Sequence, residues 1–211
     1  MIAQEVRPVQ GPASGGKRVV LVRHARPDID PARPAGEWLL AVDARTSVVR
    51  LAEILIPLGA DGVVTSTEPK AVATARILSA ATGIPLAEDA AFREQGMDAI
   101  PWIPEPERFV SAVRDHFARP DEAVFGDESS TTAAARFAEA IHRALAMHAF
   151  PLVVTHGRVM CAYLRVATGL DPMAIWPTLR MPDALLVDLD TKTIARATGE
   201  GMVPLYMKET S

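Results

Sequence analysis

Two histidines in this chain each follow a short apolar run. Arg18–Val22 (RVVLV) leads into Arg23-His24, and Pro151–Thr155 (PLVVT) leads into His156-Gly157. Imidazole is neutral and nucleophilic near pH 7, and the guanidinium of Arg23 is a permanent cation. Gly157 lets backbone come close to a ligand, and a helix starting there would aim N–H groups at an anion. Two imidazoles and a guanidinium at adjacent strand ends would make a compact cationic pocket suited to an anion.

The elements around these residues must bring them together. Both apolar runs are short, β-branched and bounded by turn-forming residues, the marks of strands buried on both faces. Asp61–Thr65 (DGVVT) is a third such run. Ala184–Leu189 and Thr193–Ala197, parted by Asp190-Thr191-Lys192, read as a β-hairpin. Apolar residues at helical spacing predict helices over Thr46–Leu58, Pro69–Ala81, Glu107–Phe117, Ser130–His148 and Arg158–Thr168. Strands alternating with helices predict a three-layer α/β fold, a mostly parallel central sheet with helices on both faces. In such sheets ligands bind at the carboxyl ends of the strands, where both histidines fall.

Four segments in order make the pattern specific. They are Arg23-His24; Thr65-Ser66 leading to Lys70-Ala71 and Thr74-Ala75; Phe92-Arg93-Glu94; and Thr155-His156-Gly157. Gly126-Asp127-Glu128-Ser129, ahead of a helix, adds to them. Over roughly residues 18–190 the chain resembles the histidine phosphatase superfamily, also called phosphoglycerate-mutase-like. The resemblance implies a phosphatase that forms phosphohistidine on His24. It implies that Arg23 and His156 hold the phosphoryl oxygens and that Glu94 protonates the leaving oxygen, then activates water. Ser66, Lys70, Gly157 and Arg26 complete the expected phosphate-binding set. A carboxyl beside a phosphoryl dianion would have its pKa raised, which suits an acid.

The chain departs from the family pattern at several positions. Ala25 replaces the usual Gly, and Pro27 and Asp30 stand where Thr and Asn are common. Lys70 stands where a second Arg is usual, which keeps the charge but loses the two-pronged fork. Asp30 would repel a phosphate unless Arg26 or Arg33 pairs with it. These departures leave room for a weakly active protein that only binds phosphorylated ligands, and the family also contains mutases. The short lid, about Gln95–Arg108, favours hydrolysis. Met97, Ile100, Trp102 and Ile103 in that lid either face an apolar or planar leaving group or pack beneath the loop.

Other features point away from competing functions. Gly11–Lys17 mimics a P-loop, but Arg18 replaces its Ser/Thr and the glycines precede a strand. Cys161 is the one cysteine, so no internal disulfide forms, and its apolar neighbours mark it as a packing thiol. His116, His142 and His148 have no common face for a metal and read as solvated helix histidines. No metal or other cofactor is expected. The chain has 211 residues, 49% hydrophobic and 23% charged, and a net charge of −4. These values fit a soluble domain over residues 18–211 behind a loose arm at 1–17, with no basic face for nucleic acid. No apolar run suits a signal peptide or a membrane helix, so a cytoplasmic enzyme acting on a small phosphate ester is expected, its oligomeric state open.

Overall fold

The computed structural model describes residues 16–96, 100 and 102–207. Most of the expected arm and P-loop-like segment, and Met97 of the lid, lie outside them. Seven strands form one sheet in the order β3-β2-β4-β1-β5-β6-β7. They are β1 (Arg18–Arg23), β2 (Gly62–Thr65), β3 (Leu86–Glu88), β4 (Pro151–Thr155), β5 (Asp183–Asp188), β6 (Thr193–Thr198) and β7 (Gly201–Tyr206). The first four run parallel, and β5, β6 and β7 add antiparallel neighbours on the β1 side. The sheet is therefore mixed: the parallel half that carries the two histidines is as expected, and the C-terminal hairpin extends it antiparallel.

Six helices cover the sheet: α1 (Arg45–Leu55), α2 (Pro69–Thr82), α3 (Pro106–Ala118), α4 (Ser130–Met147), α5 (Gly157–Thr168) and α6 (Pro172–Ile175). The expected helix Thr46–Leu58 ends early and tightens into a 3-10 turn at Ile56–Leu58, because Pro57 has no N–H to continue it. Gly83 and Gly169 end α2 and α5 in left-handed conformations that cost glycine little. Ser129 caps α4 by accepting a hydrogen bond from the N–H of Thr132 at 3.1 Å.

Alternation along the strands divides the core in two. Val19 and Leu21 of β1 and Val153 of β4 face a layer that includes Phe137 of α4 and Leu164 of α5. Val20, Val22, Leu152 and Val154 face α1 and α2, through Val48, Leu55 and Leu78. Consecutive residues bury on opposite faces, so each β1 and β4 strand must be apolar throughout. Cys161 is buried in the first layer, and burial pushes its thiol up, away from thiolate. No described helix is long and apolar enough to cross a membrane.

The first layer centres on Phe137, fully buried, with the rings of Phe92 and Tyr163 each 4.9 Å away. Phe137→Ala should lower stability by roughly 3–5 kcal/mol, since a cavity that size only partly collapses. Denaturant unfolding of the two proteins checks it.

Candidate active site

The strand order places the site. β4 lies between β1 and β2, so the carboxyl ends of three parallel strands meet. The N–H of His24 donates to Thr155 O at 2.9 Å and that of Ser66 to Val154 O at 3.0 Å. These bonds carry the ladder one step past each strand and set His24, Ser66 and His156 side by side. The rings of His24 and His156 are 5.0 Å apart.

His24 is nearly buried and lines a cleft of about 150 Å³. Its Nδ1 lies 2.8 Å from Ala25 O. A carbonyl only accepts, so Nδ1 carries the proton and Nε2 keeps its lone pair. The Ala25 peptide is itself held, because its N–H donates to Thr74 Oγ1 at 3.1 Å and that hydroxyl donates to Lys70 O at 2.8 Å. Burial, with His156, Lys70 and Arg23 nearby, holds the His24 pKa well below its ordinary value. The ring is neutral at pH 7.

His156 is likewise neutral, pushed down to about 3 by burial first and then by Lys70. Its Nε2 is 2.8 Å from Ser66 Oγ and 3.4 Å from Glu68 Oε1. Nδ1 is buried with no partner among the described residues. Ser66, expected to bind phosphate, is instead committed to the His156 ring, and its hydroxyl also accepts from the N–H of Glu68 at 3.2 Å. It stands behind the histidine and is not part of the cleft wall.

Arg23 lies across the start of α5. Its Nη1 donates to Leu179 O at 3.1 Å, and Nε is buried without a partner among the described residues. The guanidinium occupies space that a side chain at 157 would need: a Cβ there would sit 3.1 Å from Nε and 3.2 Å from Cζ. A side chain at 157 would thus press on the arginine, which would have to give by a few tenths of an ångström.

Beside Ser66, three further expectations need correction, those for Arg26, Lys70 and Glu94. Arg26 is outside the cleft; its side chain is half exposed and ion-paired with Asp43. Asp30 is exposed too, paired with Arg33 at 3.4 Å, which answers which arginine compensates it. Lys70 does line the cleft, but as no free point charge: Nζ donates to Glu68 Oε2 at 2.5 Å and to Ala35 O at 2.6 Å.

The third correction concerns Glu94. It lines the cleft, but its carboxylate caps α5, accepting from the N–H of Arg158 at 3.0 Å and of Val159 at 2.9 Å. The first-turn N–H groups expected to face a bound anion are therefore occupied by a side chain. Burial alone would raise the Glu94 pKa. The charge of Arg158 and the N–H bonds from Gln95 and Arg158 outweigh it, so the carboxyl sits below its ordinary value. The carboxyl is ionised at pH 7; the raised pKa is an expectation for a phosphoryl dianion beside it.

Several site residues carry no sequence signal of their own. Glu68 binds Lys70, approaches His156 and accepts the N–H of Glu94 at 2.6 Å. Arg136 of α4 pairs with Glu128 and donates to the carbonyls of Ala91, Arg93 and Glu94 at 2.7, 2.9 and 3.2 Å. That clamp fixes the loop bearing Glu94 and gives the Glu128 segment its positioning role. His116, read as solvated, is fully buried against Gln95, with His116 Nε2 and Gln95 Nε2 2.7 Å apart, and burial lowers its pKa to about 4. Among the described residues, no three His, Cys, Asp or Glu side chains are grouped to hold a metal ion.

The model of the histidine phosphatase superfamily (branch 1) matches residues 19–193. No curated protein matches the chain. The fold is similar to that of a mycobacterial glucosyl-3-phosphoglycerate phosphatase, at 20% identity and a TM-score of 0.65, covering 90% of this chain and 96% of that one. It is similar also to YhfR of Bacillus stearothermophilus, at 21% identity and a TM-score of 0.65, covering 92% and 98%. A mycobacterial hydrolase matches at 20% identity and a TM-score of 0.65, covering 92% and 98%.

Two outcomes follow from this geometry. Gly157→Ala should weaken binding of inorganic phosphate roughly 10-fold, because Arg23 must shift by a few tenths of an ångström; calorimetric titration measures it, with melting temperature as control. The buried histidines also make stability depend on pH. His24, His116 and His156 have folded pKa values below the 6.5 of an ordinary imidazole. The unfolded chain binds protons first, so the stability they contribute is complete above about pH 6.5 and is lost as pH falls toward about 4. Melting temperature should therefore already drop between about pH 7 and about pH 5, ahead of carboxylate titration.

Proposed function

Because this chain belongs to the histidine phosphatase superfamily, we propose that it is a phosphoric monoester hydrolase working through a phosphohistidine on His24. The observation that carries this reading is the hydrogen bond from His24 Nδ1 to Ala25 O, which leaves the Nε2 lone pair for the cleft. Nε2 attacks phosphorus, the ester P–O bond breaks, and the new P–N bond leaves positive charge on a ring whose Nδ1–H already faces a carbonyl. His156 flanks the phosphoryl oxygens; Arg23, outside the cleft lining and against the start of α5, adds positive charge from behind, and Lys70 adds charge from the wall it shares with Glu68.

Glu94 is the proton carrier. An ester arriving as its monoanion passes its proton to the Glu94 carboxylate, whose pKa rises once a dianion lies beside it. The leaving oxygen then takes that proton. In the second half Glu94 removes a proton from water as the oxygen attacks phosphorus and the P–N bond breaks. The proton leaves with the phosphate, and His24 returns neutral.

Brief exposure to a labelled phosphate ester should leave an acid-labile, base-stable phosphoramidate on His24, absent in His24→Ala. Label on serine, or label persisting in His24→Ala, would overturn the nucleophile. Glu94→Gln should slow alkyl phosphates far more than aryl phosphates, since a basic leaving oxygen needs its proton in the transition state. Equal losses on both would make Glu94 a positioning residue.

A further inference from the structure

Beyond the phosphoryl-binding end, the cleft is short of free positive charge. Lys70 is held by Glu68 and by Ala35 O. Arg158 also lines it, but its Nη1 donates to Phe125 O at 2.8 Å, its Nη2 to Gln95 O at 2.7 Å, and its Cζ lies 5.1 Å from the Phe125 ring centre. Four surface arginines are paired with acids: Arg26 with Asp43, Arg33 with Asp30, Arg93 with Glu128 and Arg108 with Glu105. Two carboxylates, Glu68 and Glu94, stand in the wall itself.

The rest of the wall is apolar. Pro27, Ala35, Trp38 and Phe109 line it. The Trp38 indole N–H is spent on Asp30 O at 2.8 Å and Arg33 O at 3.2 Å, so the side chain offers only ring surface. Trp102 meets that ring edge to face, with centroids 5.4 Å apart. Trp102 thus completes an aromatic corner with Trp38, while Ile100 and Ile103 of the same lid pack against the core.

Resting on the phosphatase reading, we propose that the site selects monoesters of small, uncharged, flat or apolar alcohols and rejects esters that carry a second anion. A carboxylate or second phosphate on the leaving group would lie beside Glu68 with no uncommitted cation among the residues that line the cleft to meet it, and burying a charge unpaired is costly. A ring would pack against Trp38 and lose nothing. The cleft, about 150 Å³ for phosphoryl group and leaving group together, limits the alcohol to a small one.

The test compares three esters with similarly basic leaving oxygens: benzyl phosphate, glycerol phosphate and 3-phosphoglycerate. Release of inorganic phosphate by the full chain gives kcat/KM for each. Benzyl phosphate should exceed 3-phosphoglycerate by about 10²-fold, the scale of one strong discriminating contact, with glycerol phosphate between them. Trp38→Ala should shrink the benzyl-to-glycerol ratio about tenfold, chiefly through KM, and Trp38→Phe should largely keep it. Equal turnover of 3-phosphoglycerate and benzyl phosphate would overturn the inference, as would an unchanged ratio in Trp38→Ala. If that variant does not fold, loss of the ratio in Trp38→Phe, a variant that keeps the ring face, counts against it equally. Hydrolysis of all three without preference leaves the phosphatase reading standing and removes only the selectivity; hydrolysis of none removes both.

Discussion

The hydrogen bond between His24 Nδ1 and the carbonyl of Ala25 governs the rest of the site. An imidazole can present either nitrogen, and rotation or tautomer exchange would remove the lone pair from the cleft. One carbonyl opposes both, and its residue is fixed on the amide side by the bond from the Ala25 N–H to Thr74 Oγ1. That hydroxyl belongs to α2, whose first turn also carries Lys70. The orientation of the nucleophile and the placement of the lysine are thus one piece of local structure, anchored where β1 leaves the sheet.

Charge in the cleft is balanced more closely than a list of cations suggests. Glu68 spans three groups at once: an ammonium, an imidazole and the backbone N–H of Glu94. Glu94 in turn satisfies the first N–H groups of α5. Each carboxylate therefore holds the residues around the cleft in place while lowering the positive potential felt by an anion. An incoming phosphoryl dianion must compete with them, so the same residues that keep the pocket organised set how much negative charge it accepts.

Much of this was legible in the residues. The apolar runs before His24 and His156 could be read as strands because residues buried on both faces leave an uninterrupted pattern, and the two histidines do meet. Three things were not legible. β3 has three residues and β7 contains Pro204, too short or too irregular to stand out from loops. His116 is buried by Gln95, a contact across 21 residues that helical spacing does not report. Glu68 looked like any acidic residue before a helix, and its importance comes only from Lys70, His156 and Glu94 converging on it. For the same reason the helix-start N–H groups of α5 were assigned to a ligand when a distant carboxylate already takes them.

The sheet's two margins bear on how copies of the chain behave at high concentration. One margin is β3, only three residues long; the other is β7, where Pro204 cannot donate to a neighbour and the pairing with β6 shifts register at Ile194/Ala195. An unpaired strand invites another chain to add to it, and short length, proline and a bulge are the features that discourage this. Neither margin offers a regular run of free N–H and C=O groups. Among the described residues, both margins of the mixed sheet thus carry features that discourage strand-by-strand growth.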